Sequence, residues 1–385
     1  MDFSISDDAK DIRAAVGALC SDFPGSYWRD LEPDRYPTEF VRALTDHGWL
    51  AALIPEQYGG SGLGIGAASV ILEAICACGC NAGACHAQMY TMGTLLRHGS
   101  EEQKAEYLPR IASGELRLQA FGVTEPDAGS DTTQIKTFAR EAEEGWVVDG
   151  QKIWTSRAEY SDLMVLLART TPAAEVEKRT DGLSVFLVDM RDRGAELTIK
   201  PIATMMNHAT TEVFFDGLRL PPEALIGQRD RGFRQILDGM NAERILIAAE
   251  CIGDGRFFLE KAVAYAGERR VFGRPIGANQ GVQFPLARAH MAVEAADLMR
   301  WKAAWLYESE QPAGAEANIA KYLASEASWE AANAALDAHG GFGFAAEYDI
   351  ERKFRETRLY RTAPVSNNLV QAFVGQHVLG LPRSY

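Results

Sequence analysis

A chain of 385 residues exceeds one compact core and has room for two or three domains. Its 47% hydrophobic and 24% charged residues are those of an ordinary globular protein, and a net charge of −14 argues against nucleic acid, since no basic excess can replace phosphate counterions. No apolar run reaches the roughly 18 residues of a membrane span, and MDFSISDDAKDIRAAV lacks a basic n-region and an apolar h-region, so a cytoplasmic protein without a membrane partner is expected.

Residues 1–117 read as helical. SISDDAKDIRAAVGALCSDF opens on a Ser/Asp cap signal and continues with apolar residues at helical spacing, and PTEFVRALTDHGWLAALI repeats the pattern after Pro37. A Gly-rich break, EQYGGSGLGIG, precedes a small-residue helix expected from about Ala67 to Cys85, and EEQKAEYLPRIASGEL closes the region at Gly114. Cys76, Cys78, Cys80 and Cys85 fall in ICACGCNAGAC. Their one-residue spacings without histidine do not match zinc pairs, so we expect no metal and small, reduced thiols buried in helix packing.

From residue 118 the period changes to short β-type runs: LQAFGV, FAREAEEGWVVDGQKIW, DLMVLLART, LSVFLVDM, LTIKPI and TEVFFDGLRL. Glu144-Gly145, Asp149-Gly150 and Asp181-Gly182 read as the turns that divide them. The β region is assigned to 118–230, with its last strand ending near Pro221-Pro222. Beyond Gly232 the helical period returns over three or four long segments suited to an antiparallel bundle, assigned to 231–385. Helices, then strands, then helices make an α+β chain, not an alternating βαβ one.

Four motifs stand out. GVTEPDAGSD (Gly122–Asp131) is a polar loop entered from an apolar run, able to turn backbone N–H groups and small hydroxyls toward a polar ligand. DGQKIWTS (Asp149–Ser156) sets Trp154 beside two hydroxyls on an expected strand. ERRVFGRPIGANQ (Glu268–Gln280) places paired arginines, whose forks suit a pyrophosphate, before a Phe-Gly turn. LDAHGGFGF (Leu336–Phe344) has adjacent glycines that let a backbone approach a ligand closely.

In this order and on these element types, the motifs resemble the acyl-CoA dehydrogenase family over nearly the whole chain, from PEQYGG at Pro55 to the last helix. TEPDAGSD and DAHGGFGF with its following ER…RE are the specific signatures. The resemblance implies an N-terminal helical domain, a central β domain and a C-terminal four-helix bundle. It also implies a homotetramer, with FAD between the β domain and the bundle and completed by a neighbouring subunit. Carried over, Phe121, Val123, Thr124 and Ser130 line the flavin, and Trp154 and Ser156 lie against its ring. Arg269 and Gln280 match contacts to the FAD diphosphate and adenosine side, and Asp337, Gly340 and Gly341 match the stretch receiving the other end of the dinucleotide. Ser366 and Asn368 complete the cofactor set, while Ser130 and Arg244 match substrate-arm positions. The activity implied is dehydrogenation of an acyl-CoA to a trans-2-enoyl-CoA, with electrons passed to an electron-transfer flavoprotein. The alternative on the same fold is a flavin oxidase or monooxygenase, or a dehydrogenase of carrier-protein thioesters.

Such chemistry needs a carboxylate to take the α-proton. In many family members it is a glutamate in a Tyr-Glu-Gly-Thr segment; here Pro364 takes that place, and no Asp or Glu follows Glu356. A second branch, similar to isovaleryl-CoA and long-chain enzymes, takes its base from the first bundle helix. There this chain has NAERILIA, with Glu243 before Arg244, so Glu243 is the expected base. Proline also removes a backbone N–H that in the family helps to hold the thioester oxygen.

Overall fold

The computed structural model describes residues 6–192 and 194–383. Helices α1 (Asp7–Cys20), α2 (Gly25–Asp30), α3 (Thr38–Asp46), α4 (Ile65–Ala77), α5 (Gly83–His98) and α6 (Glu101–Ala112) come first. Strands β1 (Leu118–Gly122), β2 (Phe138–Ala142), β3 (Gly145–Ser156), β4 (Leu163–Arg169), β5 (Leu183–Asp189), β6 (Leu197–Pro201), β7 (Thr210–Leu220) and β8 (Leu225–Ile226) follow. Helix α7 (Gly232–Glu268) leads through a small hairpin of β9 (Arg270–Val271) and β10 (Arg274–Pro275) to α8 (Gln280–Glu308), α9 (Gly314–His339), α10 (Ile350–Arg358) and α11 (Asn367–Phe373). The α+β order of helices, sheet and helices is as expected.

Three expectations are corrected. The helix expected from Ala67 to Cys85 is broken: α4 ends at Ala77, Gly79 turns the chain at φ +79°, and a separate helix starts at Gly83. Small residues allowed a helix on both sides of Gly79, but its left-handed backbone stops propagation between them. Asp149-Gly150 is not a turn. It lies inside β3 where pairing with β7 shifts register, and the Asp149 carboxylate accepts the Gly217 N–H at 2.8 Å. The sheet also does not stop at Pro221-Pro222, because β8 adds to it through β5.

The chain divides into two compact units, one holding Asp34–Leu63 and Gly83–Met240, the other the stretch to Pro33, Gly64–Ala82 and the chain from Asn241. In the first, eight strands run β6-β7-β3-β2-β4-β5-β8, with β1 parallel to β4. The apolar run of β4 is uninterrupted because both of its faces are covered. Leu163, Val165 and Leu167 pack with Met92 and Leu95 of α5 and Leu108 and Ile111 of α6; Met164, Leu166 and Ala168 point the other way, against Phe186, Val213 and Phe215. α6 starts at a capping box in which Ser100 and Gln103 satisfy each other's end of the helix.

In the second unit, alanines line the long helices: Ala289, Ala296 and Ala303 of α8 and Ala317, Ala320, Ala324 and Ala331 of α9 are fully buried. Charge is buried there in pairs. Glu73 of α4 accepts from Arg13 of α1 at 2.7 Å and from Arg256 of α7, which also bonds Asp297 at 2.8 Å. Arg300 of α8 bonds Asp297 and the Ser69 hydroxyl, each at 2.5 Å. Each cation meets a carboxylate or hydroxyl, as burial of charge demands.

Candidate active site

In the sheet unit, β1 delivers the chain at Gly122 into the polar loop. Thr124 is fixed by its carbonyl, which accepts the Ile153 N–H at 2.9 Å, and the Val123 carbonyl accepts from Lys152 Nζ at 3.0 Å. Glu125 is buried. Its carboxylate accepts from Lys152 Nζ at 2.8 Å and from the backbone N–H groups of Lys136 at 2.6 Å and Thr137 at 2.9 Å. Backbone bonds between Glu125 and Ala128 close the turn around Pro126, which leaves Gly129 and Ser130 exposed. Phe121, Val123 and Thr124 are half-buried, and the Phe121 ring meets the edge of Tyr90 from α5 at 5.6 Å.

Trp154 and Ser156 stand on the far end of β3. Register against β7 shifts between Lys152 and Thr155, and within that bulge Trp154 takes φ +60° with 57% of its surface exposed. A large aromatic residue held left-handed and facing outward is costly in conformation and packing, a pattern that concentrates at working sites. Arg157, also at φ +60°, is buried with its guanidinium 3.4 Å from His208 Nδ1. Burial, with Arg157 and His86 adding their charges, drives the His208 imidazole well below its ordinary range, so it is neutral.

In the helical unit, Glu243 and Arg244 lie half-buried on α7, and Arg244 Nη1 bonds the Asn241 side chain at 3.1 Å. Burial pulls the Arg244 guanidinium down and the Glu243 charge opposes this. The segment that follows Pro364 is pinned from α9. Lys321 Nζ donates to the Val365 carbonyl and to Asn367 Oδ1, both at 2.7 Å. Ser366 caps α11 by accepting the Leu369 N–H at 3.3 Å, and Asn368 is exposed. The last acid before that segment, Glu356, is tied to Lys353 and Arg352 at 2.8 Å each.

At the other end of these helices a cavity of about 570 Å³ is lined by Tyr265, Arg269, His339, Gly340, Gly341 and Phe342. His339 stacks on Tyr265 at 4.3 Å. Gly340 takes φ +56°, and neither it nor Gly341 has any atom within 4 Å of where a side chain would begin. The arginine beside an open glycine backbone fits the phosphates of a dinucleotide. Asp337 is exposed at the close of α9, and Gln280 is exposed as the first residue of α8.

The sheet-unit residues Phe121, Val123, Thr124, Ser130, Trp154 and Ser156 thus fall on one loop and one strand end. Arg269, Gly340 and Gly341 share the cavity, whereas Glu243, Arg244, Ser366 and Asn368 do not line it. Sequence reasoning passed over Lys152, Glu125 and Tyr90. Lys152 follows Trp146 and Val148 at even spacing along β3, which puts a lysine on the strand face that carries apolar side chains, and that was the available signal. Tyr90 was hidden by the missed start of α5.

The fold and these residues place the chain among helix–sheet–helix enzymes, and comparison with known proteins narrows the class. Models of the acyl-CoA dehydrogenase N-terminal, middle and C-terminal domains match residues 6–115, 120–218 and 230–377. Acyl-CoA dehydrogenase FadE12 of Mycobacterium tuberculosis is 36% identical over 387 residues, covering 100% of this chain and 99% of its own. The solved structure of glutaryl-coenzyme A dehydrogenase with glutaryl-CoA superposes with a TM-score of 0.91 at 30% identity, covering 100% of this chain and 98% of its own. The FAD complex of PigA gives 0.91 at 26% identity, over 99% of this chain and 100% of its own. The chain belongs to the acyl-CoA dehydrogenase family and is an oxidoreductase of that kind. Among the described residues no helix is long and apolar enough to cross a membrane.

Proposed function

We propose that this protein is an FAD-dependent, cytoplasmic acyl-CoA dehydrogenase that converts an acyl-CoA thioester to the trans-2-enoyl-CoA and passes electrons to an electron-transfer flavoprotein. The observation that carries the reading is the placement of carboxylates. Pro364 stands in the loop that Lys321 pins, Glu356 is tied to Lys353 and Arg352, and Glu243 remains half-buried beside Arg244 on α7.

Phe121, Val123, Thr124, Ser130, Trp154 and Ser156 would hold the flavin end of FAD. Arg269, Gln280, Asp337, Gly340, Gly341, Ser366 and Asn368 would hold the remainder, the first two from a neighbouring subunit. Bound FAD would supply the two-electron acceptor. Glu243 takes the α-proton onto a carboxylate oxygen as the β-hydrogen departs with its electron pair, leaving the new double bond. Arg244 and Ser130 hold the substrate's thioester arm. Asp337 is exposed, so water screens its charge from neighbouring phosphates.

A homotetramer is part of the same reading. Phe284, Met291, Leu298 and Trp305 are exposed on α8 at intervals of two helical turns, forming an apolar stripe along one face. Domain limits near 117 and 230 go with it. The test is anaerobic addition of a panel of acyl-CoAs to the FAD-loaded protein. Bleaching of the flavin by at least one, with enoyl-CoA formed in equal amount, is expected; no bleaching by any straight, branched or dicarboxylic acyl-CoA would overturn the reading. Fast reoxidation by air during turnover would replace the protein acceptor by oxygen.

A further inference from the structure

α1 ends at Cys20, and the chain leaving α4 passes beside it at Cys78 and Cys80. The Cys80 thiol points at two carbonyls there, Cys20 at 3.9 Å and Phe23 at 3.7 Å. The Cys78 sulfur covers the same end of α1: a methyl group placed on Gly17, one turn before Cys20, would stand 4.0 Å from it. Gly17 and Cys20 lie three residues apart on one face of α1, so the Cys78 sulfur lies on the face that carries Cys20. Cys20, Cys78 and Cys80, from two separate segments, therefore gather at one end of α1. The expectation that these thiols are all buried packing residues fails at Cys78, which is exposed, while Cys20 and Cys80 are buried. Cys78 caps α4 in helical geometry two residues after Cys76, about 200° further round the axis, and so points away from the face that buries Cys76.

Position gives the three thiols different chemistry. An oxidant in solution reaches Cys78 first. The hydrogen bond with Cys20 holds the Cys78 thiol below its ordinary value against burial and the charges of Glu260 and Glu73, whereas Cys20 is raised by its bonds to Cys78 and Cys80. An accessible sulfur that ionises more readily, with a second cysteine on the helix end it covers, has what a sensor thiol and its resolving partner require.

We propose that Cys78 is a site of thiol oxidation by peroxides and that Cys20 resolves it, giving a Cys20–Cys78 disulfide that ties α1 to the segment after α4. In the first step the Cys78 thiolate sulfur attacks one oxygen of hydrogen peroxide. The O–O bond breaks, and the second oxygen leaves as water after taking the thiol's proton, so Cys78 becomes a sulfenic acid. In the second step the Cys20 sulfur attacks the Cys78 sulfur, an S–S bond forms, the S–O bond breaks, and the hydroxyl leaves as water with the Cys20 proton. Two thiols and one peroxide give one disulfide and two waters; the sulfurs lose two electrons and the peroxide gains them. A dithiol reverses the change by exchange.

The test uses the full chain, reduced, freed of reductant without air and exposed to hydrogen peroxide at a few equivalents before alkylation and peptide mapping. Expected are a fall from six free thiols to four, a linked peptide pair holding Cys20 and Cys78, and return to six with dithiothreitol. Cys78→Ser should slow thiol loss at least tenfold. Cys20→Ser should stop Cys78 at a sulfenic acid that dimedone traps, and Cys80→Ser should leave the Cys20–Cys78 link intact. Survival of all six thiols overturns the proposal, as does a Cys78–Cys80 link, or Cys78 carried to sulfinic acid with Cys20 unmodified. Cys78→Ser lies at an exposed position, so its result does not depend on a core substitution being tolerated. None of these readouts uses an acyl-CoA, so they stand apart from the dehydrogenase reading.

Discussion

Lys152 and Glu125 form an ion pair at 2.8 Å with almost no exposure of either side chain. Through Lys152 the pair holds the Val123 carbonyl at 3.0 Å, and through Glu125 it holds the N–H groups of Lys136 and Thr137. One strand, the start of the polar loop and the entry to the next strand are thereby fixed to each other, while Ser130 stays exposed. The order of that loop is thus set from beneath, by the buried pair.

Replacing Lys152 by Met would leave a buried carboxylate without its counter-ion, a change that costs about 3–5 kcal/mol in comparable sites. We expect lower thermal stability and FAD binding weakened at least tenfold, measured by calorimetry and by titration of apoprotein. Wild type should also show a pH signature. Burial brings the Lys152 ammonium down to about 8 from its ordinary 10.5, against the pull of Glu125. Over that window the folded chain has released a proton the unfolded chain still holds, so this group alone makes stability rise with pH. The same deprotonation unhooks Glu125 and Val123, so FAD affinity should fall as pH rises through about 8 without a matching loss of melting temperature. An FAD affinity flat across that range would refute the link.

Glu243→Gln keeps size and one acceptor oxygen but cannot take a proton. FAD content should be unchanged, and flavin reduction by a reactive acyl-CoA should slow by about two to four orders of magnitude. Anaerobic stopped-flow absorbance reads this directly. Glu250→Gln, a buried position two turns further along α7, is the control; a larger loss there than at Glu243 would move the base.

Gly341→Leu tests the glycine cradle. With nothing within 4 Å of the new side chain's origin, folding should change by no more than about 0.5 kcal/mol, while FAD affinity falls at least tenfold. Gly340→Ala should instead destabilise the protein by about 1–3 kcal/mol, because φ +56° strains any residue with a Cβ. Melting curves of apoprotein separate the two effects.

Lys353 lies between two buried carboxylates, Asp254 at 2.6 Å and Glu356 at 2.8 Å. Burial opposes its charge but the two acids raise it above its ordinary range, whereas burial pushes Asp254 up to about 7. We take the Lys353–Asp254 pair as ionised, since one cation with two acids that close keeps its proton. Lys353→Met alone should cost about 3–5 kcal/mol, and Lys353→Met with Asp254→Leu should recover most of it. Chemical denaturation of both variants checks this.

Leu298→Asp places a charge in the middle of the exposed stripe on α8. If that stripe joins subunits, light scattering should show a smaller particle while the far-ultraviolet circular dichroism stays that of wild type. An unchanged particle mass would remove α8 from the interface.

Periodicity determined much of this protein. The long helices, the six β-type runs and the β2–β3 hairpin were legible because one face or both faces of each element are apolar at a fixed spacing. The signature loops were legible because glycine, proline and arginine have strong local requirements, and they marked the family across the chain. Tertiary structure decided what local pattern leaves open. The break at Gly79 could not be read, since alanine, cysteine and isoleucine suit a helix whether or not it continues, and only the packing of α4 showed that Cys78 faces solvent. The bulge that turns Trp154 outward depends on the register of β3 against β7, a property of two strands far apart in sequence. Lys152 against Glu125 and Cys78 against Cys20 are likewise contacts between distant segments. A sequence gives residue types and spacings, but which buried charges and which thiols meet is fixed only when the elements pack.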